Sequence, residues 1–311
     1  MMKRRAFVAT AGAALAVTAA DNPAPAALAE SLKVRFVGSG SACWEKELRT
    51  SKIFRRYSSL LVDDTFLIDY TWMGADILPA GFVPQAIVYT HSHPDHYDAK
   101  AAVKLGVRHV YLQRGWLADA RADFAKAVEK VGGVAPEIHP LDVFRKFRIG
   151  DYELQPLPGN HWTGKLHEQA LIYTVKKVCK GGTVRLLYAT DTSGLSAQAF
   201  FGGGMSRKNP ITAAIMEGTG QPGRKFDGLC ISHSTADMVN DVFTTWLKPG
   251  EPGKRAYTPN PGQKVRLTHI GYYEWGQNTF EDQLPSGLAV AHDGLAVAHD
   301  GLELEFRPYG A

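Results

Sequence analysis

The feature that most constrains this chain is a group of histidine and aspartate residues directly after a short apolar run. Residues 86–89 read Ala-Ile-Val-Tyr, which is typical of a buried strand, and Thr90-His-Ser-His-Pro-Asp-His96 follows at once. Imidazoles and a carboxylate are therefore predicted at the rim of a sheet, where a tight turn can direct them to a metal ion. A solvated polar loop is the alternative, but only 11 of the 311 residues are histidine, which makes three in this window by chance improbable.

Further candidate ligands follow other apolar runs. The spacing of two lets His91 and His93 point the same way, and Asp95 with His96 can then address a second ion about 3.5 to 4 Å from the first. Downstream, His161, Asp191 and His269 each come just after a strand-like segment. All of these residues could therefore meet at one edge of the fold.

The order H-x-H-x-D-H, then His, Asp and His, resembles the metallo-β-lactamase superfamily. Within it the chain is similar to the ribonuclease Z-like and phosphoribosyl cyclic phosphodiesterase-like branch. The stretches that carry this likeness include Phe36-Val-Gly-Ser-Gly-Ser41, Pro156-Leu-Pro-Gly-Asn-His161, Asp191-Thr-Ser-Gly194 and Ser232-His-Ser-Thr235.

The resemblance implies a centre for two divalent ions, zinc (Zn²⁺) or manganese (Mn²⁺), since His and carboxylate ligands suit both. One ion would be held by His91, His93 and His161, the other by Asp95, His96 and His269, and Asp191 would bridge them. Two cations that share a carboxylate can also share a hydroxide and direct it at phosphorus.

Two further residues are candidates for catalysis beside Asp95. His233, in the Ser232-His-Ser-Thr235 stretch, is the candidate general acid or phosphate contact, with a capping or core histidine as the alternative. Glu217 could orient His233, although a surface carboxylate explains it equally well.

The stretch Gly38-Ser-Gly-Ser-Ala-Cys43 is interpreted as a tight turn that lines the site, because the third glycine of a dinucleotide loop is missing.

Hydrophobic periodicity predicts an α/β chain. Strands are expected at 32–37, 58–62, 65–68, 85–89, 144–147, 152–157, 170–175, 184–188, 211–216 and 264–267, and helices at 101–105, 116–131 and 235–247. His109 is placed in a strand and His139 and His167 in loops, all three structural or exposed. The pattern predicts one mixed α/β domain of two packed sheets with helices outside, over residues 30–311. The resemblance implies the metallo-β-lactamase αββα sandwich, with two mixed sheets flanked by helices.

Residues 1–29 have the order of a signal peptide. Lys3, Arg4 and Arg5 precede an Ala-rich apolar stretch of about fifteen residues, and small residues end the segment at Ala29. Arg4-Arg5-x-Phe7 resembles a twin-arginine signal, which predicts export of the folded protein to the periplasm or the exterior by the twin-arginine machinery. An ordinary secretory leader is the alternative, and no membrane anchor is expected after cleavage.

Charge and cysteine content exclude several classes of protein. The net charge of +4 comes from scattered Lys and Arg, which does not favour binding of long nucleic acid. Three distant cysteines offer neither a zinc ribbon nor a disulfide scaffold.

Residues 287–293 are repeated without change as residues 294–300, and only one copy can take the place of a single strand.

The leading hypothesis is therefore a metal-dependent hydrolase that acts as a phosphodiesterase on a small or cyclic phosphodiester through a metal-bridging hydroxide. The alternative is hydrolysis of a non-phosphate ester, lactone or β-lactam on the same fold. A flavin-coupled di-iron oxidoreductase would need a further domain after the metal domain. A homodimer is compatible with the sequence, which fixes no oligomeric state.

Overall fold

The computed structural model describes residues 27–40, 54–159, 161, 163–189, 191, 228–232, 264–268, 295–297 and 300–308. Short runs of Val, Ile, Leu and aromatic residues form strands in these ranges, and the strands assemble into two seven-stranded sheets. Both sheets contain parallel and antiparallel pairs. The predicted α/β class and the two mixed sheets are thus confirmed.

The first sheet has the strand order β14-β1-β2-β3-β4-β5-β6. Its three inner strands β2 to β4 are buried at every position, as expected for strands covered on both faces. The pairs from β3 to β6 are parallel and the others antiparallel. The strands are β1 (Leu32–Gly38), β2 (Ser59–Val62), β3 (Phe66–Ile68), β4 (Ala86–Val88), β5 (His109–Gln113), β6 (Glu137–Leu141) and β14 (Glu303–Phe306).

The second sheet has the order β13-β12-β11-β10-β9-β8-β7. Pairs from β7 to β10 are antiparallel, and pairs from β10 to β13 are parallel. The strands are β7 (Phe147–Ile149), β8 (Tyr152–Pro158), β9 (Leu171–Cys179), β10 (Gly182–Ala189), β11 (Gly228–Ser232), β12 (Lys264–Thr268) and β13 (Leu295–Val297).

Two described helices cover the outer face of the first sheet. Helix α1 (Ala99–Leu105) begins where the Asp98 side chain accepts a hydrogen bond from the amide of Ala101, and it ends at Gly106, whose φ of 77° favours glycine. Helix α2 (Leu117–Val131) buries Ala120, Phe124 and Ala127 on one face. This face packs with α1 against the sheet.

The main core lies between the two sheets. Phe36, Leu60 and Val88 of the first sheet pack with Leu154 and Tyr173 of the second, and all five are buried. Each large apolar side chain removed from water there contributes about 1.5 to 3 kcal/mol. The two sheets are therefore packed face to face.

A buried polar contact adds to this packing at the other end of the sheets. Asp63, in the turn between β2 and β3, accepts hydrogen bonds from Lys177 Nζ and from the Tyr152 hydroxyl, each over 2.6 Å. Asp63 and Lys177 belong to opposite sheets, so the ion pair fixes one sheet relative to the other. Lys177 is almost fully buried, which makes its charged partner necessary.

Two predicted elements differ in the structure. The strand expected at Phe144–Phe147 is wrong: Phe144 has a φ of 66° in a turn, and β7 begins only at Phe147. His139 was expected in a loop but lies in the edge strand β6, because a Pro at position 140 hid the strand pattern. The predicted strand 211–216 and helix 235–247 lie outside the described residues.

The second copy of the repeated heptad supplies β13, and its Asp300 leads into β14. Asp300 accepts hydrogen bonds from the amide and hydroxyl of Ser39 and from the amide and guanidinium of Arg56. The first copy lies outside the described residues, as do residues 1–26. A search of the described helices found none with the length and apolarity needed to cross a membrane.

Candidate metal centre

Strand ends from both sheets deliver the predicted ligands to one edge. His91 to His96 follow β4, while His161 follows β8 and Asp191 follows β10. Strands β8 and β10 are both antiparallel to β9, so they end on the same side. Two contacts join this edge to β4: the Leu171 amide donates to Thr90 O over 2.9 Å, and the Tyr173 hydroxyl donates to Tyr89 O over 2.7 Å.

Four of the predicted ligands form one group. Ligand atoms of His91, His93, His161 and Asp191 all lie within 4.8 Å of one another. Asp191 Oδ2 is 3.2 Å from His91 Nε2 and 3.6 Å from His161 Nε2, and His161 Nε2 is 3.1 Å from His93 Nδ1. Three ring nitrogens and a carboxylate oxygen are thus arranged around one point, as a transition-metal ion requires.

A second group shares Asp191. Asp95, His96 and Asp191 also present ligand atoms within 4.8 Å. His96 Nε2 lies 3.5 Å from Asp95 Oδ2 and 3.2 Å from Asp191 Oδ2. The same oxygen of Asp191 therefore faces both groups, which is the position a bridging carboxylate takes. Asp191 has a φ of 44°, a left-handed conformation that Asp tolerates better than most residues.

Burial and charge act in opposite directions on the imidazoles. Burial lowers the pKa of His91, and it lowers the pKa of His161 to about 4. Burial also opposes a charge on His96, but Asp95, Asp191 and Asp69 together raise its pKa well above the usual value. His91 and His161 are therefore neutral at pH 7, with ring nitrogens able to ligate. The three carboxylates favour a positive charge on His96, or on a cation that takes the place of its Nε2 proton.

The donor set fits metal ions. The buried Nε2 of His91 makes no hydrogen bond of good geometry within the described part of the chain, although Asp191 Oδ2 lies 3.2 Å away, and it belongs to the group of candidate ligand atoms around Asp191. A buried polar atom without a hydrogen bond is costly, and ligation of a cation removes that cost. Neutral imidazoles together with paired carboxylates are the ligands that Zn²⁺ and Mn²⁺ accept.

A buried aspartate fixes the orientation of His96. Asp69, at the end of β3, is fully buried and accepts hydrogen bonds from the Thr90 amide and hydroxyl at 2.7 and 2.8 Å. Its Oδ2 also lies 2.8 Å from His96 Nδ1. The carboxylate keeps the proton of a neutral His96 on Nδ1, so Nε2 faces Asp95 and Asp191 as the ligating nitrogen.

A second carboxylate holds the loop that carries His91 and His93. Glu168 accepts a hydrogen bond from the Ser92 amide and another from the Ser92 hydroxyl, both over 2.6 Å. Ser92 lies between the two histidines, so this pair of bonds fixes the turn from which they project. Such contacts orient metal ligands without touching the metal.

Three predicted site residues, His269, His233 and Glu217, lie outside the described residues. The backbone before two of them is described: β11 ends at Ser232 and β12 ends at Thr268, which are register partners in a parallel pair. These strands run parallel to β10, the strand that precedes Asp191. The sequence-based roles of the three residues remain predictions.

Sequence reasoning missed Asp69, Thr90 and Glu168 as functional positions. Asp69 had a usable signal, because it follows an apolar strand just as Asp191 does. Glu168 had none, since its contact with Ser92 joins positions 76 residues apart through a loop without a periodic pattern.

The fold and this site define a metal-dependent hydrolase of the α/β class. The sequence pattern of the beta-lactamase superfamily domain matches residues 79–237, which is more than half of the chain. The chain therefore belongs to the beta-lactamase superfamily of metal-dependent hydrolases. No curated protein sequence matches it significantly.

Solved structures share the fold at low sequence identity. A diphosphatase from the PhnP family is 19% identical with a TM-score of 0.51, over 89% of this chain and 97% of that one. Zn²⁺-bound PqqB from Methylobacterium extorquens is 14% identical with a TM-score of 0.55, over 88% and 99%. The metallo-beta-lactamase fold protein YhfI from Bacillus subtilis is 15% identical with a TM-score of 0.51, over 89% and 99%. At these identities the likeness establishes the fold alone.

Proposed function

We propose that this protein is a phosphodiesterase that acts on a small or cyclic phosphodiester at a centre for two divalent ions. The observation that carries the proposal is the position of Asp191 Oδ2, which faces the His91 and His161 nitrogens on one side and His96 on the other. One carboxylate oxygen between two ligand groups suits a pair of ions that act together on one substrate.

The residues fit zinc or manganese in the allocation that the family resemblance implies. His91, His93 and His161 would hold one ion, Asp95, His96 and His269 the other, and Asp191 both. When bound, the ions supply Lewis acidity, a nucleophile at neutral pH and positive charge beside the phosphate.

The residues around the ligands prepare the site before substrate arrives. Asp69 holds the Nδ1 proton of His96, and Glu168 fixes the turn between His91 and His93. His233 is proposed to donate a proton to the leaving oxygen, with Glu217 orienting it. The ligand edge lies where β4, β8 and β10 end.

Two features support phosphorus as the atom attacked. A pair of cations would contact both non-bridging oxygens of a diester and stabilise the additional negative charge that develops there during attack at phosphorus. The Ser232-His-Ser-Thr235 stretch also resembles the ribonuclease Z motif that lies near a phosphodiester leaving group.

The test compares two reporter substrates on one preparation. Bis-p-nitrophenyl phosphate should be hydrolysed and nitrocefin should not, with at least two metal ions per chain measured on the same sample. Rapid turnover of nitrocefin with no turnover of the phosphodiester would replace the phosphodiesterase by the lactam or ester hydrolase. A metal content of one ion or none would contradict the two-ion centre.

His233 can be tested with leaving groups of different basicity. His233→Ala should keep both metals but lose about 10² to 10⁴ in rate on an alkyl phosphodiester, and far less on a p-nitrophenyl one that needs no proton. Equal losses on both substrates would assign His233 to phosphate binding or to the fold.

We also propose that residues 1–29 direct twin-arginine export and are then removed. The mature periplasmic protein should begin near residue 30 by intact mass, and replacing Arg4 and Arg5 by Lys should retain the precursor in the cytoplasm. Unchanged export of that double variant would favour an ordinary secretory leader.

A further inference from the structure

A second group of metal-binding side chains lies on the first sheet. In the described part of the chain, His109, Glu137 and His139 are the remaining set whose ligand atoms all lie within 4.8 Å. His109 pairs with Glu137 in the parallel register of β5 and β6, and Tyr111 pairs with His139 two residues further on. Alternate residues of a strand share a face, so the three side chains project together.

The distances match the spacing of ligands around a tetrahedral ion. His109 Nδ1 is 3.1 Å from His139 Nε2 and 3.5 Å from Glu137 Oε2, and His139 Nε2 is 3.9 Å from Glu137 Oε1. Ligand atoms on a tetrahedral zinc with bonds near 2.05 Å are about 3.3 Å apart. Small side-chain rotations would therefore place all three atoms on one ion.

The His139 ring is held in place by aromatic stacking. It stacks on Tyr111 with a centroid distance of 4.5 Å and an angle of 18°, and Tyr111 stacks on Phe147 of the second sheet at 5.0 Å and 20°. A ligand whose ring is already oriented loses less conformational freedom on binding. The side chains of His109, Glu137 and His139 retain 45%, 66% and 31% of their exposure, which leaves room for an ion and a water ligand.

This group is separate from the candidate metal centre. His109 pairs with Ala86, the first residue of β4, whereas His91 and the residues after it follow the last residue of β4. The two groups thus lie at opposite ends of the same parallel strands. Neither shares a residue with the other.

We propose that His109, Glu137 and His139 bind a single divalent transition-metal ion, with zinc as the natural candidate, which joins β5 to the edge strand β6. Two imidazoles and a carboxylate are a zinc ligand set, and water would complete the tetrahedron. The ion would add a side-chain cross-link between two strands that are already paired in the sheet. Its role is stabilisation of the sheet edge, since it lies away from the hydrolytic site.

The experiment compares the zinc content of full-length variants after equilibration at one fixed free Zn²⁺ concentration. His109→Gln removes one ligand. His139→Phe removes another but keeps an aromatic ring against Tyr111. His167→Gln removes an exposed loop histidine and is the matched control.

We expect His109→Gln and His139→Phe to bind one zinc equivalent fewer than the wild type, and His167→Gln to bind the same number. Added Zn²⁺ should raise the Tm of the wild type more than that of the two ligand variants, because an ion stabilises the state that binds it. Cu²⁺ at the site should show nitrogen hyperfine coupling by electron paramagnetic resonance, which either substitution alters.

Equal zinc content and equal Tm shifts in all four proteins would overturn the proposal and leave His109 and His139 as a hydrogen-bonded pair. The result does not depend on the two-ion centre, because the comparison is a difference between proteins that share that centre. Hydrolysis of bis-p-nitrophenyl phosphate should be unchanged in every variant.

Discussion

The two ends of the first sheet both carry histidines, but they surround them differently. At the carboxyl end, His91 and His96 are fully buried and meet Asp95, Asp191 and Asp69. At the amino end, His109 and His139 remain partly exposed beside one carboxylate, Glu137. Histidine side chains at the carboxyl end therefore have charged partners, whereas those at the amino end are in contact with water.

The difference shows why supporting residues accumulate around one group. A buried polar group costs free energy unless a partner compensates it, so each imidazole at the carboxyl end depends on the groups beside it. Exposed imidazoles at the amino end are solvated and tolerate the loss of a neighbour. We therefore expect substitutions to have large effects at the carboxyl end and small effects at the amino end.

The largest effect is expected for Asp191. Asp191→Ala should abolish hydrolysis and release bound metal, because the shared carboxylate oxygen faces both ligand groups. Metal content and turnover measured on one sample test this. Since Ala tolerates the φ of 44° poorly, Asp191→Asn serves as the second variant, and it should fail in the same way. Asp142→Ala, an exposed carboxylate paired with Arg114, is the control, and two tightly held ions in both Asp191 variants would exclude a bridging role.

A smaller loss is expected for Asp69→Asn. An amide can still accept from Thr90, but its NH₂ group would face His96 Nδ1 and favour the tautomer with the proton on Nε2. Metal affinity or activity should fall by about 10- to 100-fold, measured by metal titration and by kcat/KM. Asp64→Asn, an exposed turn residue also at positive φ, should have no effect. If both substitutions left affinity unchanged, Asp69 would be a structural residue only.

Glu168→Gln should have a milder effect. The amide oxygen can still accept from the Ser92 amide, and the NH₂ group can donate to the Ser92 hydroxyl. What is lost is the charge of the carboxylate, which strengthens the two bonds by about 1 kcal/mol. Activity should fall by about fivefold, with metal content unchanged, in the reporter assay. Glu129→Gln on the exposed face of α2 is the matched control. A loss of activity as large as that of Asp69→Asn would show that the position of the Ser92 turn matters as much as the tautomer of His96.

The smallest effect on hydrolysis is expected at the amino end. His109→Gln, without added zinc, should keep activity within about twofold and the free energy of unfolding within about 0.5 kcal/mol, as is usual for exposed positions. Urea unfolding and the reporter assay measure both. A large fall in activity would mean that the two ends of the sheet are coupled. It would contradict the expectation that substitutions at the exposed amino end have small effects.

Much of the fold could be predicted from the sequence because buried strands are short apolar runs that stop at polar residues. The same rule located His91 to His96, His161 and Asp191, which the structure brings together. Glu168 could not be found this way, since only the tertiary path of its loop places it beside Ser92. Phe144 was misassigned because an aromatic residue with strand propensity occupies a turn at positive φ, where local propensity is overridden.

The pairing of β14 with β1 has a consequence for the order in which the chain can fold. Asp300 and Ser39 are hydrogen-bonded across 261 positions, so this edge of the first sheet stays open until residues 300–306 have left the ribosome. During that interval β1 presents an unpaired edge, the kind of surface that promotes association between nascent chains. Lys33 and Arg35 are the charged residues of that strand, and their charges would discourage such pairing until β14 arrives.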